Sequence, residues 1–93
     1  MNVKRLKAAR KKIDELDNKI FYLIKRRTQI VKYMLTLKKF KKQIVDQKRI
    51  KSILKNIKNK SIKNGIDPKV SIRIWKSMIW SYVNYQRRNF KNK

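Results

Sequence analysis

The groups in this sequence that could do chemistry are polar side chains at positions where the surrounding pattern is apolar. Arg27 interrupts an apolar seam, and none of the residues one helical turn away from it is acidic. An unpaired guanidinium at such a position is costly unless an anion meets it. Lys38 follows eleven residues later, about 16 Å along a helix, so the two side chains can converge on one small anion. The ordinary alternative is an arginine that snorkels to water or pairs with a distant acid.

A second set of polar residues accompanies apolar faces later in the chain. Asp46 and Arg49 lie three residues apart at the start of a predicted helix, where a weak surface salt bridge is the ordinary alternative. Gln86 lies one turn after Tyr82 and Val83, so its amide is predicted to point into an apolar face. A neutral amide in such a place needs hydrogen-bond partners, and a structural glutamine bonded to backbone is the alternative interpretation.

Composition narrows the chemistry that these residues can perform. The chain has 93 residues and contains neither cysteine nor histidine. Disulfides, the usual zinc sites and Ser-His or Cys-His nucleophiles are therefore excluded, and no metal or cofactor is predicted. An enzyme built from these residues would work without a nucleophile.

The charge balance points toward anionic partners. The 29 Lys and Arg against 5 Asp and Glu give a net charge of +24, which is typical of nucleic-acid-binding proteins. The cations are spread along the whole chain, however, and this favours solvated helix faces, so nucleic acid is not the expected partner. Neither a secretory signal nor a membrane span is recognisable, and a cytoplasmic protein is expected.

The elements that would position these residues are three helices. A heptad pattern of apolar residues predicts one long helix from about Val3 to Lys38, roughly 54 Å in length. Its seam comprises Leu6, Ile13, Ile20, Met34 and, in the second register, Ala9, Leu16, Leu23, Ile30 and Leu37. A helix of this length outruns a compact domain of 93 residues, so a second copy of the chain is expected to cover the seam.

The rest of the chain completes an all-α fold in a single domain, residues 1–93. The basic segment from Lys39 to Val45 is predicted to be a mobile loop, and Asp46 is predicted to open a second, shorter helix that ends near Asn64-Gly65. Asp67-Pro68 predicts the start of a third helix that continues to about Asn89. This third helix is apolar around much of its circumference, which predicts burial between other helices.

These residues, in this order, resemble the all-α chorismate mutase family over nearly the whole chain. The segment from Arg10 to Asp17 is similar to the family's opening R-x-x-I-D-x-x-D motif. Arg26-Arg27, then Lys38, Asp46-Gln47-Lys48-Arg49 and finally Gln86 match the family in residue type and spacing.

The resemblance implies an intertwined homodimer with two equivalent sites for chorismate, a small dianion. Arg27, Arg10 of the partner subunit and Arg49 would hold the carboxylates, while Lys38 and Gln86 would donate to the ether oxygen. The implied reaction is the Claisen rearrangement of chorismate to prephenate. It is unimolecular and needs no acid, base or nucleophile, which agrees with the composition.

Two positions depart from the family pattern. Ile50 stands where the mutases usually have a glutamate for the ring hydroxyl, which leaves Asp46 alone to bind it, and Tyr82 stands where many have a small hydroxyl residue. An apolar residue at position 50 resembles the isochorismate pyruvate lyase branch of the family, as does Asn64-Gly65-Ile66-Asp67 with Trp75 and Tyr82 after it. The mutase is the first expectation and the lyase the second. A degenerate homologue without activity and a basic nucleic-acid-binding dimer are the remaining alternatives.

Overall fold

The computed structural model of the protein, in which residues 2–91 are described, contains three α-helices. They are α1 (Val3–Leu37), α2 (Gln47–Lys63) and α3 (Pro68–Asn89), and the described residues include no strand. The predicted all-α architecture with a long first helix is confirmed. No helix in the described range has the length and apolar character needed to cross a membrane.

The chain divides after Tyr33 into two compact units. The first unit consists of α1 up to that residue, and Val31 is its one buried residue among those described. The predicted seam is exposed to solvent in the single chain: Leu16, Ile20, Leu23 and Ile30 each keep more than half of their surface.

The connector between α1 and α2 lies in the second unit. The prediction of a mobile loop from Lys39 to Val45 is wrong, because a turn of 3-10 helix forms at Lys41–Ile44. Ile44 is only 5% exposed, and this turn contacts α3. A single apolar anchor is enough to order a short connector, although it is too little to produce a periodic pattern in the sequence.

Helix α2 has the predicted signals at both ends. The Asp46 carboxylate accepts a hydrogen bond from the backbone N–H of Arg49 at 3.0 Å, as an N-cap does. At the other end Gly65 has φ of 69°, a left-handed conformation that suits glycine. The Ile66 N–H bonds back to the Ser61 carbonyl at 2.9 Å, which closes a Schellman-type turn.

Helix α3 packs on α2 and completes the core of the second unit. Asp67 caps it by accepting from the Lys69 N–H at 2.9 Å, and Pro68 is its first residue. The buried apolar side chains of this unit are Ile44, Ile50, Ile79 and Val83.

Burial of α3 between several helices stays a prediction, and in the single chain one face of this helix is exposed. Ile79, Val83 and Gln86 lie on its buried face, while Val70 and Ile74 on the opposite face are more than half exposed. Helix α2 and the 3-10 turn at Lys41–Ile44 both contact α3, and one helix can cover only one face of its neighbour.

Candidate functional site

The polar centre of the second unit is a hydrogen bond between Lys38 and Gln86. The Lys38 ammonium lies 2.7 Å from the Gln86 side-chain oxygen. Lys38 follows directly after α1, and Gln86 lies in the last turn of α3, so the bond joins residues 48 apart in the sequence. Gln86 is 7% exposed and Lys38 is half-buried. The prediction that the Gln86 amide points into the apolar face of α3 is confirmed.

The chemistry of the two groups sets the orientation of the Gln86 amide. An ammonium can only donate hydrogen bonds, so the amide oxygen must face Lys38. The amide NH₂ then turns to the other side, where it donates to the Tyr82 carbonyl oxygen at 3.3 Å. The amide is thus oriented by a charged partner on one side and by its own helix on the other.

Burial and one acid act in opposite directions on the Lys38 ammonium. Desolvation by burial lowers the pKa of Lys38 from its ordinary value of 10.5, and the negative charge of Asp46 partly offsets this by raising the pKa. Lys38 is therefore a cation whose water shell is partly removed. Such a cation interacts more strongly with a nearby negative charge than a fully solvated lysine would.

Asp46 and Arg49 belong to the same end of α2. Both side chains are exposed, and their contact runs from the Arg49 backbone N–H to the Asp46 carboxylate, as described for the cap. Ile50 is 9% exposed and belongs to the core of the second unit. Its position next to Arg49 is therefore occupied by a buried apolar side chain.

The two remaining predicted arginines lie on α1 in the first unit. Arg10 is exposed and Arg27 is half-buried. They are 17 residues apart on one helix, about 25 Å along its axis, so they cannot hold the same small molecule from one chain. The structure brings together Lys38, Gln86 and the charge of Asp46, while the part that Arg10 and Arg27 play stays a prediction.

Tyr82 lies one turn before Gln86 on α3 and is half-buried. Its backbone carbonyl is part of the site, because it accepts the bond from the Gln86 amide. A role for its side chain in binding a ligand stays a prediction.

Sequence reasoning missed Gln43. Its side-chain oxygen accepts hydrogen bonds from the backbone N–H groups of Lys39 at 2.8 Å and Phe40 at 2.9 Å. The signal was present but weak: a glutamine three residues after a helix N-cap completes a capping box, and here the N-cap is Phe40, which cannot supply the usual side-chain acceptor.

The chain matches the family model described as chorismate mutase type II over residues 9–87, which is most of its length. It belongs to this family. No curated protein and no solved structure gave a significant match. In this member of the chorismate mutase type II family, the part-buried Lys38–Gln86 pair is the polar contact that joins the end of α1 to α3.

Proposed function

We propose that the protein is a chorismate mutase, which rearranges chorismate to prephenate. The observation that carries the proposal is the 2.7 Å bond between Lys38 and Gln86, because it holds a partly desolvated cation beside an oriented amide. Membership of the chorismate mutase type II family supports the same conclusion.

The proposed mechanism uses positioning and electrostatics alone. In a Claisen rearrangement the ether C–O bond opens while a C–C bond forms, and negative charge grows on the ether oxygen. An ammonium has three N–H donors, so Lys38 can keep its bond to Gln86 and still donate to that oxygen. Fixed donors facing developing charge lower the barrier, and more so where water is partly excluded.

Gln86 would contribute a second hydrogen-bond donor to the ether oxygen. Its amide is held within 2.7 Å of Lys38, so an oxygen that contacts the ammonium also lies close to the amide. A small rotation that exchanges the 3.3 Å bond to the Tyr82 carbonyl for a bond to the ligand would complete the pair of donors.

The carboxylates of the substrate would be held by arginines. We assign this role to Arg27 and Arg49, with Arg10 of the partner subunit, because guanidinium groups bind carboxylates in a bidentate manner. Asp46 would bind the ring hydroxyl, and Tyr82 and Ile50 would line the ring. Holding the substrate in its compact reactive conformation supplies the second part of the catalytic effect.

The proposed assembly is a homodimer of single-domain chains, residues 1–93. Its support is the exposed seam of α1, where Leu16, Leu23 and Ile30 are each more than half accessible in one chain. Burial of such side chains against a second copy stabilises an assembly by about 25 cal/mol per Å² of apolar area.

A second candidate, isochorismate pyruvate lyase, is favoured by one observation. The position after Arg49 holds the buried apolar Ile50, which cannot accept a hydrogen bond from a ring hydroxyl. The lyase branch of the family acts on a substrate whose hydroxyl lies elsewhere on the ring. Asp46 retains an acceptor near Lys38, and this favours the mutase.

A product assay separates the candidates. The protein is incubated with chorismate and, separately, with isochorismate, and the products are identified by chromatography. Prephenate from chorismate is expected. Salicylate with pyruvate from isochorismate would instead establish the lyase. If neither reaction gives its product, the chain is a helical homologue without activity.

A salt titration tests the alternative of nucleic-acid binding. Affinity for a polyanion falls by orders of magnitude between low and moderate salt, whereas affinity for a two-carboxylate ligand falls far less. Tight binding to duplex DNA or RNA with a steep salt dependence, in a protein without either product, would favour that alternative.

A further inference from the structure

The connector between α1 and α2 is short, and its two ends carry site residues. Lys38 precedes it and Asp46 follows it, so its conformation sets where the ammonium lies relative to the acid that acts on it. Hydrogen bonds and the buried side chain of Ile44 hold this connector.

Three of these hydrogen bonds involve Gln43. Its side-chain oxygen accepts from the N–H groups of Lys39 and Phe40 at 2.8 and 2.9 Å, and its own backbone N–H donates to the Phe40 carbonyl at 3.0 Å. After α1 ends, these two N–H groups have left the helical ladder and need an acceptor. One amide oxygen satisfies both.

The bond to Lys39 acts directly on the backbone of Lys38. The Lys39 N–H belongs to the same planar peptide unit as the Lys38 carbonyl. With that plane held by Gln43, only the backbone torsion ψ of Lys38 separates the connector from the Lys38 Cα–Cβ bond, so the position of the plane constrains the direction of the side chain. The bond that this side chain makes, 2.7 Å to Gln86, depends on that direction.

The next residue, Ile44, secures the other end. It is 5% exposed and its short helix contacts α3, the helix that carries Gln86. Gln43 and Ile44 therefore connect the backbone of Lys38 to α3, the helix that also carries its hydrogen-bond partner Gln86.

We propose that Gln43 is a positioning residue of the catalytic site, whose side-chain oxygen orders the connector so that Lys38 meets Gln86. The residue does not touch the substrate in this scheme. The inference rests on the proposed function for its effect on turnover, whereas its effect on Lys38 can be observed without any substrate.

The first experiment measures turnover in Gln43→Met and Gln43→Glu. Methionine has a similar length but lacks the oxygen acceptor, and kcat is expected to fall by about 10- to 100-fold with little change in KM, because an interaction made in the transition state is misplaced. Glutamate keeps an acceptor for both N–H groups and should restore most of kcat. The matched control is Gln29→Met, at an exposed glutamine of α1, which should behave like the wild type.

The second experiment follows Lys38 itself by NMR in protein with isotopically labelled lysine. The Lys38 signal is assigned from its loss in Lys38→Arg. In the wild type and in Gln29→Met it should titrate below the ordinary lysine value of 10.5, because burial lowers the pKa of Lys38. In Gln43→Met it should titrate closer to 10.5, because the freed side chain reaches water.

The outcomes distinguish the positioning role of Gln43 from the proposed mutase function. Unchanged kcat and an unchanged Lys38 titration in Gln43→Met would overturn the positioning role, as would a Gln43→Glu variant as impaired as Gln43→Met with its circular dichroism intact. A wild-type protein that makes no product would refute the proposed function, and the titration alone would then decide the role of Gln43.

Discussion

The stretch of α1 up to Tyr33 and the unit that begins at Met34 differ in how their apolar side chains are covered. In the first, Val31 is the one buried residue among those described, and the seam is exposed. In the second, Ile44, Ile50 and Val83 are buried together with Ile79, and the polar Gln86 is buried as well.

This difference divides the proposed site into two parts. The proposed donors to the ether oxygen, Lys38 and Gln86, are joined by a hydrogen bond within one chain. The proposed role of Arg10, on α1, requires a second copy of the chain. The bond between the two proposed donors therefore needs one chain, whereas the proposed set of carboxylate-binding arginines needs two.

The largest expected effect comes from removing the Lys38 ammonium. Lys38→Met should lower kcat by about 10²- to 10³-fold, the usual effect of losing one donor to a developing negative charge. Steady-state kinetics of prephenate formation measure this, with circular dichroism to verify the fold.

The matched control for that variant is Lys39→Met, which removes an exposed cation one residue away. Its kcat should stay close to the wild-type value. Equal losses in the two variants would mean that general positive charge, and not the position of Lys38, supports turnover.

The next largest effect concerns the seam of the first unit. Leu23→Glu places a carboxylate in the proposed dimer interface and should weaken dimerisation by at least about 100-fold, since an unpaired charge there loses its water. Sedimentation velocity over a concentration series measures the shift to monomer.

Tyr22→Glu is the control for the seam. Tyr22 is 61% exposed and Leu23 57%, so the two sites are equally accessible in the single chain, but Tyr22 lies off the seam. It should leave the dimer intact. If both variants dissociate to the same extent, the exposed seam is not the interface.

A smaller effect should appear in the pH dependence of kcat/KM. Because burial lowers the pKa of Lys38, kcat/KM should decline on the alkaline side at a pH below 10.5, as the ammonium loses its proton. Asp46 raises this pKa, so Asp46→Asn should move the alkaline limb to lower pH. Asparagine remains a good N-cap, so α2 keeps its start.

Asp67→Asn provides the comparison for that shift. Asp67 caps α3 as Asp46 caps α2, and the substitution removes the same charge at another helix end. Its alkaline limb should coincide with that of the wild type. A limb that moves to higher pH in Asp46→Asn would contradict the assigned direction.

The smallest effect tests the packing between α2 and α3. The hydroxyl oxygens of Ser61 and Ser71 are both buried and lie 2.5 Å apart, while Ser61 also reaches the Ile57 carbonyl at 2.6 Å. Ser71→Ala should lower the free energy of unfolding by about 1 kcal/mol.

The exposed Ser81 of the same helix supplies the reference substitution. Ser81→Ala corrects for the higher helix propensity of alanine. Urea unfolding of both variants gives the difference, and equal stabilities would show that the serine pair adds nothing to the packing.

Sequence patterns alone were enough to determine the helices and the identities of the polar residues. The heptad seam from Leu6 onward, the capping residues Asp46 and Asp67, and Pro68 are local signals, and each acts within a few residues along one helix. For the same reason the position of Gln86 on the apolar face of α3 could be predicted from its spacing to Val83.

Only the tertiary structure decided which of these residues meet. The bond between Lys38 and Gln86 spans 48 positions, and it depends on a connector whose order comes from one buried side chain, Ile44, and from Gln43. Contacts between distant segments leave no period in a sequence, and a single glutamine that binds backbone N–H groups looks like any other polar loop residue. The physical reason is that packing and hydrogen bonds join segments that are far apart in the sequence. A sequence pattern, in contrast, shows only which residues share one face of one helix.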